Sequence, residues 1–197
     1  MADETTEPEV TDPDNTGTEG TDQENPETPS KPVLGAKKSV TATIKVSWLL
    51  YDIMNETFLR GRTIQNKENH KEVASMFASE DEENREKILR SVKRAFAEVQ
   101  TELGEYLNEN GTTTDNSHYD GSHDLVLNLT MPSNFNEAAT TGVGEAVHAY
   151  LANSAIADWY MVTNKADADQ YYALAQKNME LIRQTVSKRS RPVRPID

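Results

Sequence analysis

Imidazole and carboxylate side chains crowd together once in this sequence, at Asp115, His118, Asp120, His123 and Asp124. Nitrogen and oxygen ligands of these types hold zinc and related divalent ions when three or four of them converge. The spacing follows no established zinc motif, and the surrounding run of Thr, Asn, Ser and Gly reads as a loop. A solvated polar loop is the preferred reading, and His118, Asp120 and His123 stand as the candidate ligands if a metal binds at all. His148 sits beside an apolar helical stripe with no recognisable Ser or Cys nucleophile, which suits an interface or core histidine better than a catalytic base. His70 lies in a polar stretch and carries no signal. Gly142-Val143-Gly144 lacks the later glycine and the preceding strand of a phosphate-binding loop.

The chain has no cysteine. That excludes a disulfide framework, a Cys-based zinc site and a thiol nucleophile, and it fits a protein made in a reducing compartment. The sequons at Asn55, Asn110 and Asn128 mean little without a secretion signal. The N-terminus, Met1-Ala2-Asp3-Glu4, is acidic where a signal peptide is cationic. The longest apolar run, residues 46–51, is broken by Ser47 and falls far short of the ~20 residues of a membrane span. The expectation is a soluble protein that is not an enzyme and needs no cofactor.

The elements that would position any site lie between two charged ends. Residues 1–30 hold ten Asp and Glu and no Lys or Arg, so most of the formal net charge of -13 belongs there. Few large apolar side chains accompany them. Such a segment buries too little surface to offset about 1–2 kcal/mol of backbone entropy per ordered residue. A disordered acidic arm is expected over 1–38, serving solubility rather than, in the absence of an aromatic anchor, acting as a lure for a basic partner. The other end is basic. Arg183, Lys188, Arg189, Arg191 and Arg194 crowd the last fifteen residues, with Pro192 and Pro195 stopping any helix. An extended basic tail is expected over 189–197.

Between them, residues 39–188 read as a mainly α, four-helix-bundle-like body with one strand-and-loop excursion. The first helix spans about 44–60, with Trp48, Tyr51 and Leu59 on one face, Leu49, Ile53 and Met54 on another, and Gly61 as its stop. Residues 40–43 could instead be extended. Residues 61–78 read as a linker. Ser79 and Glu82 suggest a capping box, after which Ile88, Val92, Phe96, Val99, Leu103 and Tyr106 draw one apolar stripe, ended by Asn110-Gly111. Leu125, Leu127, Leu129 and Met131 alternate with smaller or polar residues, the period-two pattern of a strand. A lone strand leaves its backbone groups unpaired. Its partner is either residues 40–46 or another subunit. Asn134 and Glu137 form a second capping box before Val143, Val147, Leu151, Ala155, Trp159 and Val162, with Gly142 and Gly144 marking a frayed or closely packed turn. The last helix is expected from Asp167, with Tyr172, Ala175, Met179, Ile182 and Val186 on its stripe. The short link 164–166 makes the last two helices an antiparallel hairpin.

Nucleic acid has one candidate, the basic tail, but no aromatic residue is interleaved there for base stacking. Trp159, Tyr160, Tyr171 and Tyr172 fall at helical spacing and read as core or subunit interface.

Five phrases resemble those of tailed-phage head–tail connector (adaptor, neck) proteins: Leu59-Arg60-Gly61-Arg62, Lys87-Ile88-Leu89-Arg90-Ser91-Val92, Pro132-Ser133-Asn134-Phe135-Asn136, Ala157-Asp158-Trp159-Tyr160 and Lys188-Arg189-Ser190-Arg191-Pro192. The resemblance covers about 41–195. It implies a virion protein, assembled in the bacterial cytoplasm as a ring of identical subunits that docks on the portal and receives a downstream neck or tail protein. DNA would pass through without sequence-specific binding, and no membrane is involved. The implied docking residues are Lys188, Arg189, Arg191, Pro192, Arg194 and Pro195. Leu125, Leu127, Leu129 and Met131 would form a subunit interface or line the ring. The alternative is a bacterial helical interaction module that recruits partners through the acidic arm and basic tail. A metal enzyme built on His118 and His123 ranks behind both.

Overall fold

The structure, a computed structural model, describes residues 35–65, 68–78, 81–114 and 122–191. The expected acidic arm therefore lies outside the described residues except for its last four, and Ser79 lies outside them too. The body is mainly helical, as expected, with a two-stranded antiparallel sheet. In chain order it comprises β1 (Lys38–Ile44), α1 (Val46–Ile64), the one-turn α2 (His70–Ala74), α3 (Glu82–Glu102), β2 (Leu125–Met131), a 3-10 turn (Glu137–Ala139), α4 (Thr140–Thr163) and α5 (Lys165–Val186).

The centre is α4. Val143, Ala146, Val147, Tyr150, Leu151, Ala155, Ile156, Ala157, Trp159 and Tyr160 are all buried, and they occupy most of its circumference. A helix that is apolar nearly all round has to be surrounded. Here α5 runs back along it as a hairpin, and α3, α1 and β1 take the other sides. Packing does not demand glycine at 142 or 144: a Cβ on Gly142 would meet Thr185 at 3.4 Å and one on Gly144 would meet Ala42 at 4.0 Å, both ordinary van der Waals contacts. Val162, expected on the buried stripe, is exposed because α4 has by then passed the end of the core.

The start of α4 and the start of α5 both differ from expectation. Asn136, not Asn134, caps the turn before α4, its side chain accepting from the Ala138 N–H. The cap of α5 is Asn164, whose side chain accepts from the Asp167 N–H. Asp167 is a buried acid instead. Arg60 donates to it through Nε at 2.9 Å and through a terminal nitrogen at 2.6 Å, and Asn164 Nδ2 adds a third bond at 2.9 Å. The Tyr160 and Tyr171 rings stack at a tilt beside this pair. Burial above all holds both phenols well above their ordinary value, so both stay protonated donors, to the Thr57 carbonyl and to Glu56. On α5, Tyr171 is buried and Tyr172 exposed, so the stripe runs through Tyr171, Ala175, Met179, Ile182 and Val186.

In α1 the Leu49 and Ile53 face is the buried one, whereas Trp48, Tyr51 and Leu59 face outward. The helix runs on through Gly61 to Ile64. Gly61 is a contact point, not a stop: a Cβ there would fall 2.3 Å from the Phe77 ring. Residues 70–78 are more than a linker. Val73, Met76 and Ala78 are buried, Trp159 donates its indole N–H to the Met76 carbonyl at 2.9 Å, and Thr57 Oγ1 accepts from the Ala78 N–H.

The stripe expected in α3 is buried from Ile88 to Leu103. The helix ends at Glu102, well before Asn110-Gly111. Residues 106–113 leave it to run along β2, with Tyr106, Asn108 and Thr113 exchanging main-chain hydrogen bonds with Thr130, Asn128 and Val126. Gly111, at φ 84°, makes the turn within that segment.

The Arg60 and Asp167 pair has an asymmetric prediction. Asp167 is 3% exposed, while the Arg60 side chain reaches water. Removing the arginine strands a buried carboxylate. Arg60→Ala should therefore cost about 3–5 kcal/mol in denaturant unfolding. Asp167→Asn should cost less, about 1–3 kcal/mol, because the guanidinium can hydrate. The opposite order of midpoints would contradict this account.

Candidate interaction surface

The expected interface strand finds its partner within the chain. β2 pairs antiparallel with β1 in the register Ile44 to Leu125, Ala42 to Leu127, Val40 to Leu129 and Lys38 to Met131. The alternation dictates the sidedness: Val40, Ala42 and Ile44 join Leu125, Leu127, Leu129 and Met131 inside, each at most 5% exposed. The four β2 side chains expected to meet another subunit or line a ring thus face their own core. Their burial in that core leaves none of them free to touch a second molecule. Asn128, a sequon residue, spends its side chain within the sheet, accepting from Ser39 and Thr41 and donating to the Asn110 carbonyl.

The basic tail is rooted in a built site. The Asn136 N–H donates to the Lys188 carbonyl at 3.2 Å, and the Ser190 N–H donates to the Asn134 carbonyl at 2.8 Å. Phe135, fully buried, sits opposite Arg189 as an isolated bridge. The Arg189 guanidinium turns back onto the Val186 carbonyl at 2.8 Å. From the other side, Lys38 Nζ donates to the Phe135 carbonyl at 3.0 Å and pairs with Glu137 at 2.8 Å. Lys188, Arg189 and Arg191 are exposed on this fastened stub. The other three expected docking residues, Pro192, Arg194 and Pro195, lie outside the described residues.

The candidate metal loop is described only at its end. His118 and Asp120 lie outside the described residues, as does Asp115, and His123 Nδ1 is 3.0 Å from Ser122 Oγ. Among the described residues no three His, Cys, Asp or Glu side chains are grouped to hold a metal. His148 Nε2 lies 2.8 Å from Asp52 Oδ2, tying α4 to α1. His70 Nδ1 lies 3.2 Å from Gln65 Nε2. Among the described residues neither histidine is hydrogen-bonded to a serine or threonine hydroxyl. Among the described residues no helix is long and apolar enough to cross a membrane.

Sequence reasoning missed two surfaces. One is a groove of about 510 Å³ along α1, lined by Leu50, Tyr51, Met54 and Phe58 with Arg85 across from them. The 47, 50, 54, 58 spacing was its only signal, and the sequence gives no way to tell such a face from a core stripe. The other lies beside β1, about 590 Å³ in volume, where the first turns of α4 meet Trp48 and Asp52. No protein-family model matches this chain, and no curated protein or solved structure matches it either.

The tail root carries a pH prediction. Donation from Lys38 holds the Glu137 carboxyl below its ordinary value of 4.5. A folded value below the unfolded one means that the contribution is present above that ordinary value and fades as pH falls through the folded value. Glu137→Gln should therefore lower the melting temperature at neutral pH, with the difference from the parent vanishing in acid. A difference that stays constant down to strong acid would contradict the pairing.

Proposed function

We propose that this chain is a structural subunit of a tailed-phage neck: a head–tail connector that forms a ring on the portal and receives the next neck or tail component. It works in the virion, without catalysis or cofactor, and phosphate slides past its acidic surface without sequence readout. The observation that carries the reading is the fastened root of the basic tail. A helical body that holds residues 188–190 with Asn134, Phe135 and Asn136, and braces that turn with Lys38, is built to aim the residues that follow. Two prolines in that end limit the entropy lost when it docks. Of the five phrases that resemble connector proteins, the two that begin at Pro132 and Lys188 meet at this root.

The helical interaction module remains the second reading, favoured by the outward Trp48, Tyr51 and Phe58 along α1. Electron microscopy separates the two. A connector is expected to give rings of identical subunits; a stable monomer that binds a non-viral partner would replace this reading with the second. In a phage whose own copy is deleted beyond residue 187, the body should still fold while heads fail to join tails. Unchanged particle assembly would overturn the docking role.

A further inference from the structure

Beside its apolar stripe, α3 carries a second face that borders α4. Lys87, Arg90, Ser91 and Arg94 follow at steps of three and four, so they stand in two adjacent rows on one side of the helix. Together with Asp158 of α4 they line a surface pocket of about 320 Å³. Three of these five side chains are cations.

Pairing inside the pocket leaves particular groups over. One terminal nitrogen of Arg90 goes to Glu86, and one of Arg94 goes to Asp158. Lys87 forms no ion pair among the described residues. Its ammonium lies 4.8 Å from the centre of the Trp159 ring, which holds it in place and cancels none of its charge. Ser91 is only 8% exposed, yet its hydroxyl has no hydrogen-bond partner among the described residues. Helical hydroxyls commonly turn onto the carbonyl four residues back, as those of Thr101 and Thr185 do here. That of Ser91 does not, and it remains for the pocket.

We infer that this pocket binds one phosphate group. Charge selects an anion: Glu86 and Asp158 offset Arg90 and Arg94, and the charge of Lys87 is left over. One phosphodiester, with its single negative charge, balances it. Geometry selects a tetrahedral anion. A carboxylate presents two oxygens in one plane, which a single guanidinium satisfies. Here the donors come from two rows, the ammonium and hydroxyl of residues 87 and 91 and the guanidiniums of residues 90 and 94. Oxygens set at tetrahedral angles reach both rows at once. Asp158 is the one acid in the lining. Its bond to Arg94 turns it from the anion and orients the guanidinium that meets it. The inference stands whether or not the chain forms a ring.

NMR titration of the full chain tests it. Inorganic phosphate should shift the Arg90 and Ser91 amides and the Trp159 indole N–H, and the shifts should saturate. Chloride at matched ionic strength should leave all three in place. Lys87→Gln and Ser91→Ala, each followed at the Arg90 amide, should weaken phosphate about tenfold with unchanged circular dichroism. A short single-stranded DNA identifies the source of the group. If it shifts the same three signals, the ligand is a nucleic-acid backbone; if phosphate alone shifts them, the ligand is free phosphate. Shifts that chloride reproduces, or that keep full affinity in both variants, overturn the inference. So does silence of all three signals toward phosphate and DNA alike.

Discussion

A 24-residue helix without a polar face sets the terms for this fold. Burying α4 takes four separate neighbours, and the chain supplies them from both sides in sequence: β1, α1 and α3 before it, α5 after it. Hydrophobic burial has no direction, so it alone does not say how those neighbours are arranged. The arrangement comes from a few polar bonds at their edges. Arg60 and Asp167 join α1 to the first turn of α5, Trp159 holds Met76, and Arg183 grips Glu102 with two nitrogens at 2.6 and 3.0 Å, linking α5 to α3.

The small sheet does for the chain ends what α4 does for the middle. Pairing β1 with β2 brings residue 38 beside residue 131, so Lys38 reaches the Pro132 to Glu137 turn and the root of the basic tail. One short segment thereby fixes where both ends of the body leave it.

Much of this was legible in the residues. Period-two alternation from Leu125 to Met131 gave a strand with the right inward face, and three- and four-residue steps gave α3 and the α4–α5 hairpin, because both patterns record a buried side directly. Boundaries were legible only where a local signal was unopposed. Gly61 looked like a stop and Asp167 like a cap, yet each is explained by a partner far along the chain, Phe77 packing on one and Arg60 pairing with the other. Of the surfaces, the tail announced itself by charge. The groove beside β1 gave no sign, since its walls come from residues 41–52 and 140–148, far apart in the sequence.

Composition and periodicity by themselves determined that this is a helical body with one sheet excursion and oppositely charged ends, because those are properties of side chains and their spacing. Only the tertiary structure decided which apolar faces are inside. Trp48 and Tyr51 offer large apolar rings next to Leu49 and Ile53 in the sequence, yet the first pair meets water and the second is buried. It also decided that β2's partner is β1 rather than another chain. Burial and pairing are relations between distant segments, and no run of neighbouring residues contains them.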